Sequence, residues 1–336
     1  MAPLMSVVIP TYQRSGSLQR LLAALTRQTL SASDYEVIVA IDGSADGTLE
    51  VVEAFPSSYA VRAVQQSHRG RAAACNLGIK EATGDIVVIL DDDMEPTPGF
   101  LTAHYERHRA RARVGVLGAV PIEVHPDTPP VVRYIANKFN NHLERLARPG
   151  TVIDIRDFYS GNFSIRRAML IEVAGFDEQF QIYGNEDGDL AARLQQANVQ
   201  LLYSPEAEAR QHYEKDFATL AQDNMAKGRT AVLCASKHPD KVARLKIGSR
   251  PEGTARWRML RTGLVKGSAF SRRIPAEVVR WVTRLEARRA PDLFSWYSRA
   301  LDYFFWLGVD TELRERARAG DRQTQRLLRV VLKAAQ

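Results

Sequence analysis

Cysteine is scarce: Cys75 and Cys234 are the two in 336 residues. Two thiols build neither a disulfide framework nor a cysteine-rich metal centre, and their scarcity fits a reducing compartment. Long apolar runs are missing as well. The most apolar stretches, residues 86–90 and 303–307, fall far short of the ~20 residues that cross a bilayer. No basic segment leads into a long apolar run at the start of the chain, so no secretory leader is expected. Nowhere does G-x-G-x-x-G follow a strand and open a helix, which argues against a dinucleotide-dependent oxidoreductase. Low-complexity tracts and internal repeats are also missing.

What is present is ordinary globular material, 45% apolar and 25% charged, which excludes disordered, collagenous and fibrous classes. The length suits one large α/β unit, or one domain with a helical appendage. The net charge of +7 is unevenly placed. Residues 251–336 carry 18 Lys and Arg against 9 Asp and Glu, leaving −2 on the rest, a near-neutral body with a basic tail.

Residues 5–10 form a short apolar run closed by Pro10, and residues 15–27 carry Leu18, Leu21, Leu22 and Leu25 at helical spacing. Residues 35–41 read as a second strand that stops at the turn pair Asp42-Gly43, before a short helix through Leu49, Val52 and Phe55. A third strand is expected over 60–64, a third helix over 71–82, and a fully apolar strand over 86–90 that runs straight into Asp91-Asp92-Asp93. This alternation implies an α/β fold with a mostly parallel sheet flanked by helices, its ligands beyond the carboxyl ends of the strands. Farther on, Thr97 is expected to cap a helix with Pro98 at its first position. A strand over 114–120, a Pro-rich loop over 121–130, a helix over 131–146, a strand over 161–165 and a helix over 186–196 follow. Beyond Asp216 the pattern is almost wholly helical.

The aspartate triplet follows a buried strand with no turn between, so three carboxylates crowd the rim of the sheet. Like charges that close repel unless a cation joins them, and oxygen ligands beside a diphosphate suit Mg²⁺ or Mn²⁺. A solvated acidic turn is the alternative. Glu186, Asp187 and Asp189 crowd a helix start, where each acid stabilises the helix dipole by roughly 0.3 to 1 kcal/mol. A carboxylate there that faces a cleft would instead serve as a general base toward a hydroxyl. His212 is either a packed residue or a ligand, Arg71 at a helix start suits phosphate or a solvated loop, and Gly161-Asn162 marks a bulge or turn.

Taken in order, these segments resemble the family 2 glycosyltransferases, inverting enzymes of the GT-A fold that use nucleotide-sugar donors. The resemblance covers residues 5 to 235. Val7-Val8-Ile9-Pro10-Thr11-Tyr12-Gln13-Arg14 is similar to the family's opening strand and nucleotide loop, and residues 38–48 around Asp42 to its second strand. Gly70-Arg71 through Asn76-Leu77-Gly78 matches its third helix, and Gly84-Asp85 with the strand into Asp91-Asp92-Asp93 its D-x-D segment. Gly161-Asn162-Phe163-Ser164, Gly175-Phe176-Asp177 and Glu186-Asp187 follow in the family's order.

The resemblance implies that Pro10, Thr11, Tyr12, Arg14, Asp42 and Arg71 hold the nucleotide, with Asp91 and Asp92 near the ribose and diphosphate. Asp93 would bind Mn²⁺ or Mg²⁺, with Asp91 and His212 as further ligands. Asp187 would be the general base and Glu186 its neighbour orienting the acceptor, while Gly161, Asn162 and Tyr183 would border the acceptor. Tyr183-Gly184-Asn185 stands where these enzymes commonly carry a tryptophan before the acid pair. A uridine diphosphate sugar is the favoured donor, and the acceptor is a glycan, a lipid-linked or another hydroxyl, in polysaccharide, glycolipid or other glycoconjugate synthesis.

The expected organisation is a glycosyltransferase domain over 1–235, with a nucleotide-binding part over 1–95 and an acceptor part over 96–235, then a basic helical region over 236–336. In that region Arg280, Arg284 and Arg288 share one helical face and Val278, Trp281, Val282 and Leu285 another. Tyr297, Leu301, Phe304 and Phe305 are either core or membrane-facing. The region is packing, an oligomer interface or a peripheral contact with an anionic membrane; the expected location is the cytoplasm, with the last alternative placing the protein at the inner face of the membrane. Nucleic acid is not an expected partner. Two other readings stay open. A sugar-phosphate nucleotidyltransferase would carry a glycine-rich, arginine-containing loop after its first strand, whereas residues 11–16 hold one glycine. A non-catalytic nucleotide-sugar-binding scaffold would not need the acids.

Overall fold

The computed structural model describes residues 2–249 and 253–321; residues 250–252 and 322–336 of the expected C-terminal region lie outside them. The chain forms two compact units. The first comprises the residues up to Val124, Ala136–Gln181 and Glu186–Tyr213, and the second His125–Ile135, Ile182–Asn185 and the residues from Glu214 on.

The elements follow one another as β1 (Met5–Thr11), α1 (Ser15–Leu25), β2 (Tyr35–Asp42), α2 (Thr48–Glu53), β3 (Ala60–Gln66), α3 (Arg71–Glu81) and β4 (Ile86–Leu90). Then come β5 (Met94–Pro96), α4 (Phe100–Arg109), β6 (Val114–Gly118), α5 (Pro130–Leu146), β7 (Asn162–Arg166), α6 (Arg167–Glu172), α7 (Glu186–Gln196), β8 (Gln200–Ser204) and β9 (Ala209–Gln211). The helices α8 (Phe217–Lys237), α9 (Ala255–Ser268), α10 (Arg273–Ala287) and α11 (Leu293–Arg318) complete the described chain.

In the first unit seven strands form one sheet in the order β3-β2-β1-β4-β7-β6-β8. β3, β2, β1 and β4 pair in parallel, as do β6 and β8; β7 runs antiparallel to both of its neighbours. Every residue of β1, β2, β4 and β6 is buried, which is why these strands read as nearly continuous apolar runs rather than alternating ones. Each Val, Ile or Leu fully withdrawn from water there contributes roughly 1.5 to 3 kcal/mol. The leucines of α1 at 18, 21, 22 and 25 are all fully buried in the same core. Pro10 lies beyond Val8, the last residue of β1 in register with β4, so its missing N–H interrupts no bond to that strand. Across the sheet, Asp42 ends β2 and the aspartate triplet follows β4, which places both at the same rim.

Thr97 does not cap α4. Its N–H and hydroxyl both reach the Glu208 carbonyl, at 3.0 and 3.1 Å, and the helix starts at Phe100. The cause is a short antiparallel pair, β5 with β9, that claims the residues before Thr97 and extends through it.

The second unit is helical. α8 and α11 cross with their backbones in contact: a Cβ at Gly228 would stand 1.9 Å from the Phe305 carbonyl oxygen, and one at Gly308 1.9 Å from that of Met225. Tyr297, Leu301, Phe304 and Phe305 are buried, so this aromatic stripe is core. Inside it Asp302 accepts from Arg261 at 2.9 Å and from the Trp257 indole at 3.0 Å, which pairs the buried charge.

Candidate active site

The loop from β3 into α3 wraps the carboxylate that ends β2. Asp42 is 3% exposed. Its Oδ1 accepts from Gln66 Nε2 and the Arg69 amide, both at 2.8 Å, and its Oδ2 from the Gly70 amide at 2.8 Å, while His68 Nδ1 lies 2.9 Å from Oδ2 and 3.2 Å from the Asp42 carbonyl, its hydrogen-bond partner. Both carboxylate oxygens are thereby held by donors of the protein itself. A base N–H that reached this carboxylate would take the place of the Gln66 or His68 side chain. At the rim above, the exposed Tyr12 ring stacks on His68 with centroids 4.3 Å apart. The two rings form a flat platform beside Asp42, and no motif in the sequence singles out His68.

The triplet splits into three environments. Asp91 is bound by Arg71, whose Nε and Nη2 stand 3.0 and 2.7 Å from Asp91 Oδ1. Asp92 is buried and accepts from Thr11 Oγ1 at 2.8 Å and Arg14 Nη1 at 3.1 Å. Asp93 faces the same Arg14 nitrogen at 3.3 Å and takes 3.3 Å from Gln211 Nε2 on its Oδ2. Burial pushes Asp92 up to about 7 in spite of Arg14, with Asp93 adding to the rise. Burial and then the Asp91 charge raise Asp93 too. Asp93 Oδ1 is buried with no hydrogen-bond partner. Compressed carboxylates with an orphan oxygen are what a divalent cation would relieve, so these residues fit such an ion.

The other expected ligands do not join Asp93. Asp91 is engaged by Arg71, and His212 turns its Nε2 to Glu95 Oε2 at 2.9 Å. His212 meets Asp93 through the backbone instead, its amide donating to the Asp93 carbonyl at 2.9 Å. Among the described residues no three His, Cys, Asp or Glu side chains close into a ready metal cage.

Arg71 links the triplet to the acids of α7. Its Nη1 donates to Ser160 Oγ at 2.9 Å and stands 3.7 Å from Asp187 Oδ1 and 4.0 Å from Glu186 Oε1. Ser160 in turn donates to Asp187 Oδ1. Burial raises Asp187, while Arg71 and the Ser160 bond pull it back down. Asp189, the third acid of this helix start, is held by Arg193 at 2.7 and 2.9 Å, and Arg193 also donates to the Gly175 carbonyl at 2.7 Å. Asp189 is thereby a brace, whereas Asp187 stays partly exposed.

Gly161 and Asn162 act beneath the site. A Cβ at Gly161 would stand 2.5 Å from Asp91 Oδ2, so only glycine lets β7 begin here with Asp91 in place. Asn162 is fully buried and gives its amide to the Ala119 and Ala207 carbonyls at 3.0 and 2.8 Å. Its oxygen must then accept from His104 Nε2 at 2.8 Å, which leaves His104 Nδ1 to accept from Ser164 at 2.7 Å and Ser164 to accept from His108 Nε2 at 2.8 Å. Burial lowers His104 to about 4 and His108 to about 3, so the chain is neutral at pH 7. Asn162 is spent on the framework. Tyr183 belongs to the second unit, where Lys215 and Lys227 lie 4.7 and 5.1 Å from its ring centre.

Two of the remaining motifs meet in space. The Asn76 carboxamide accepts from the Phe176 amide at 2.8 Å and donates to the Phe176 carbonyl at 2.8 Å and to Glu178 at 3.0 Å, which fastens the loop before α7 to α3.

The family model described as glycosyl transferase family 2 matches residues 6–174, just over half of the chain. The chain belongs to glycosyltransferase family 2. A model described as the N-terminal domain of galactosyltransferase matches residues 142–216. Validoxylamine A glucosyltransferase of Streptomyces hygroscopicus subsp. jinggangensis is 30% identical over 234 residues, 61% of this chain and 54% of that protein. The pre-mycofactocin glycosyltransferase of Mycobacterium tuberculosis is 30% identical over 250 residues, 72% of this chain and 50% of that one. The chain spans about half the length of these curated relatives. Among solved structures, the mannosyltransferase PcManGT of Pyrobaculum calidifontis, in complex with GDP-Man and Mn²⁺, aligns with a TM-score of 0.60 at 18% identity, over 94% of this chain and 88% of that one. S. aureus TarS 1-349 in complex with UDP-GlcNAc aligns at 0.51 and 16% identity, over 95% and 92%. These neighbours share the GT-A fold with this chain. Ser160 went unnoticed in its sequence because a serine before a strand carries no periodic or compositional signal.

Proposed function

We propose that the protein transfers a sugar from a nucleoside diphosphate sugar to an acceptor hydroxyl with inversion, Asp187 acting as general base. The observation that carries this reading is the continuity of the site: Arg71 touches Asp91 at 2.7 Å and stands 3.7 Å from Asp187, so one guanidinium joins the nucleotide end to the candidate base. The nucleobase lies on the Tyr12 and His68 platform above Asp42, and Arg14 and Arg71 supply positive charge where the diphosphate departs. A divalent cation, Mn²⁺ or Mg²⁺, held by Asp93 would neutralise charge that grows on the leaving diphosphate.

Asp187 takes the acceptor proton as the hydroxyl attacks the anomeric carbon. Burial lifts its proton affinity toward neutrality, which improves a base that must both ionise and accept. Glu186, buried beside it, orients the acceptor. A direct displacement with the base on the face opposite the leaving group inverts the anomeric carbon. The solved structures that resemble this chain hold GDP-Man with Mn²⁺ and UDP-GlcNAc, which supports a nucleotide-sugar donor; uridine is the base we favour.

A thermal-shift panel of uridine, guanosine, thymidine and adenosine diphosphates, each with Mn²⁺ or with chelator, tests the reading. At about a hundred times its dissociation constant a ligand stabilises by roughly 2.7 kcal/mol. The shift should appear for one nucleoside with Mn²⁺, and vanish with chelator and in Asp93→Ala. Equal shifts in chelator and with Asp93→Ala would remove the metal from the mechanism, and no shift with any nucleotide would remove the donor class.

A further inference from the structure

The second unit carries a face that its own packing leaves open. Residues 253–289 hold ten Lys and Arg against two Asp and Glu. On α9 the inner side is committed: Arg261 and Val265 are buried, Trp257 donates to Asp302, and Ser268 meets Tyr303 at 2.7 Å. Arg256, Met259, Gly263 and Lys266 recur three and four residues apart on the opposite stripe, and all four are exposed. Phe270 continues that spacing just past the helix. Met259 is 77% and Phe270 91% exposed, more than any core need explains.

α10 adds a second stripe. Its Val282 is buried, while Arg273, Arg280, Arg284 and Arg288 are exposed on the other side. Trp281 lies at the edge of that basic side, 41% exposed, with its ring against Trp296 at 4.9 Å. Isolated exposed apolar residues are unremarkable, but here large apolar side chains stand within a strongly cationic surface on two adjacent helices. Apolar residues that insert, ringed by basic residues, are the signature of a helix lying in the headgroup layer of an anionic bilayer.

We infer that the α9 and α10 faces form a peripheral docking surface for an anionic lipid bilayer, with Met259 and Phe270 inserting and Lys266, Arg284 and Arg288 meeting the headgroups. A second protein copy fits less well, because two such faces would bring like charges together. The inference does not depend on the transfer chemistry proposed above, and its test needs no substrate.

The full chain is co-sedimented with vesicles of phosphatidylcholine alone, or with about a third phosphatidylglycerol, at low and high salt. Binding should require the anionic lipid and be released by salt. Neutralising Lys266, Arg284 and Arg288 together to Gln should weaken it roughly a hundredfold, at about fivefold per basic residue. Met259→Ser with Phe270→Ser should weaken binding to anionic vesicles and reduce what survives at high salt, while circular dichroism and melting temperature stay unchanged. Failure to bind anionic vesicles at low salt, equal binding to both vesicle types, or binding untouched in both folded variants would overturn the inference. So would light scattering that showed a lipid-free dimer broken by the same substitutions.

Discussion

Arg71 and Asp187 share a single hydroxyl: Ser160 accepts from Arg71 Nη1 at 2.9 Å and donates its proton to Asp187 Oδ1. The donated bond favours the ionised carboxylate, opposing the burial that raises Asp187. Removing it with Ser160→Ala leaves Asp187, the proposed base, in place and raises its proton affinity further. Catalysis needs the ionised form, so the acid limb of the turnover profile should move to higher pH. Turnover well above the limb should change less than turnover below it. A pH–rate profile of both proteins checks this, and an unmoved acid limb would separate Ser160 from the base.

Gly161 is where the sheet makes room for Asp91. A methyl group there would meet Asp91 Oδ2 at 2.5 Å, so Gly161→Ala must displace either the carboxylate or the start of β7. Displacing Asp91 frees Arg71 from its partner. Donor affinity should fall by about tenfold or more, together with a loss of stability of about 1 to 3 kcal/mol from overpacking. Calorimetric titration of the nucleotide and a denaturant melt measure the two separately.

Glu36, far from the site and 4% exposed, sets an acid limit on the fold. Burial alone would raise it, yet hydrogen bonds from Ser6 at 2.6 Å and from the Thr83 hydroxyl and amide at 2.7 and 2.8 Å, with Arg62 beside it, bring it down to about 2. Against an ordinary value of 4.5, that depression corresponds to about 3 kcal/mol. The sign follows: this stability is present above about 4.5 and lost as pH falls toward 2. Glu36→Gln should therefore destabilise by about 1 to 3 kcal/mol at pH 7, and the gap to the parent should close below pH 4. A gap that stays constant with pH would show that packing, not ionisation, sets the difference.

The sheet was legible in the sequence because buried parallel strands announce themselves: residues 37–41 and 86–90 are apolar without interruption, and each stops at an acid. The helix start at Glu186 was legible for its charge. Local pattern said nothing of β5, three residues long, whose pairing with β9 pulled Thr97 away from a capping role. The same limit applies to Asn162, whose partners His104, Ala119 and Ala207 are spread over about a hundred residues of chain. Ring stripes were ambiguous for a different reason, since Phe304 and Phe305 have the spacing of either a core or a membrane face until the crossing of α8 and α11 encloses them. Residues that bridge two others through one hydroxyl, as Ser160 bridges Arg71 and Asp187, leave no trace in composition at all.

The base assignment is tested most directly by Asp187→Asn, with donor affinity and turnover measured on the same preparation. The substitution keeps the shape and removes the proton acceptor. Nucleoside diphosphate release from the sugar donor, in transfer or in slow hydrolysis to water, should slow by about 10² or more while the donor dissociation constant moves less than about threefold. Near-normal turnover with intact donor binding would contradict the assignment and leave Asp187 as part of a structural acid cluster at the start of α7.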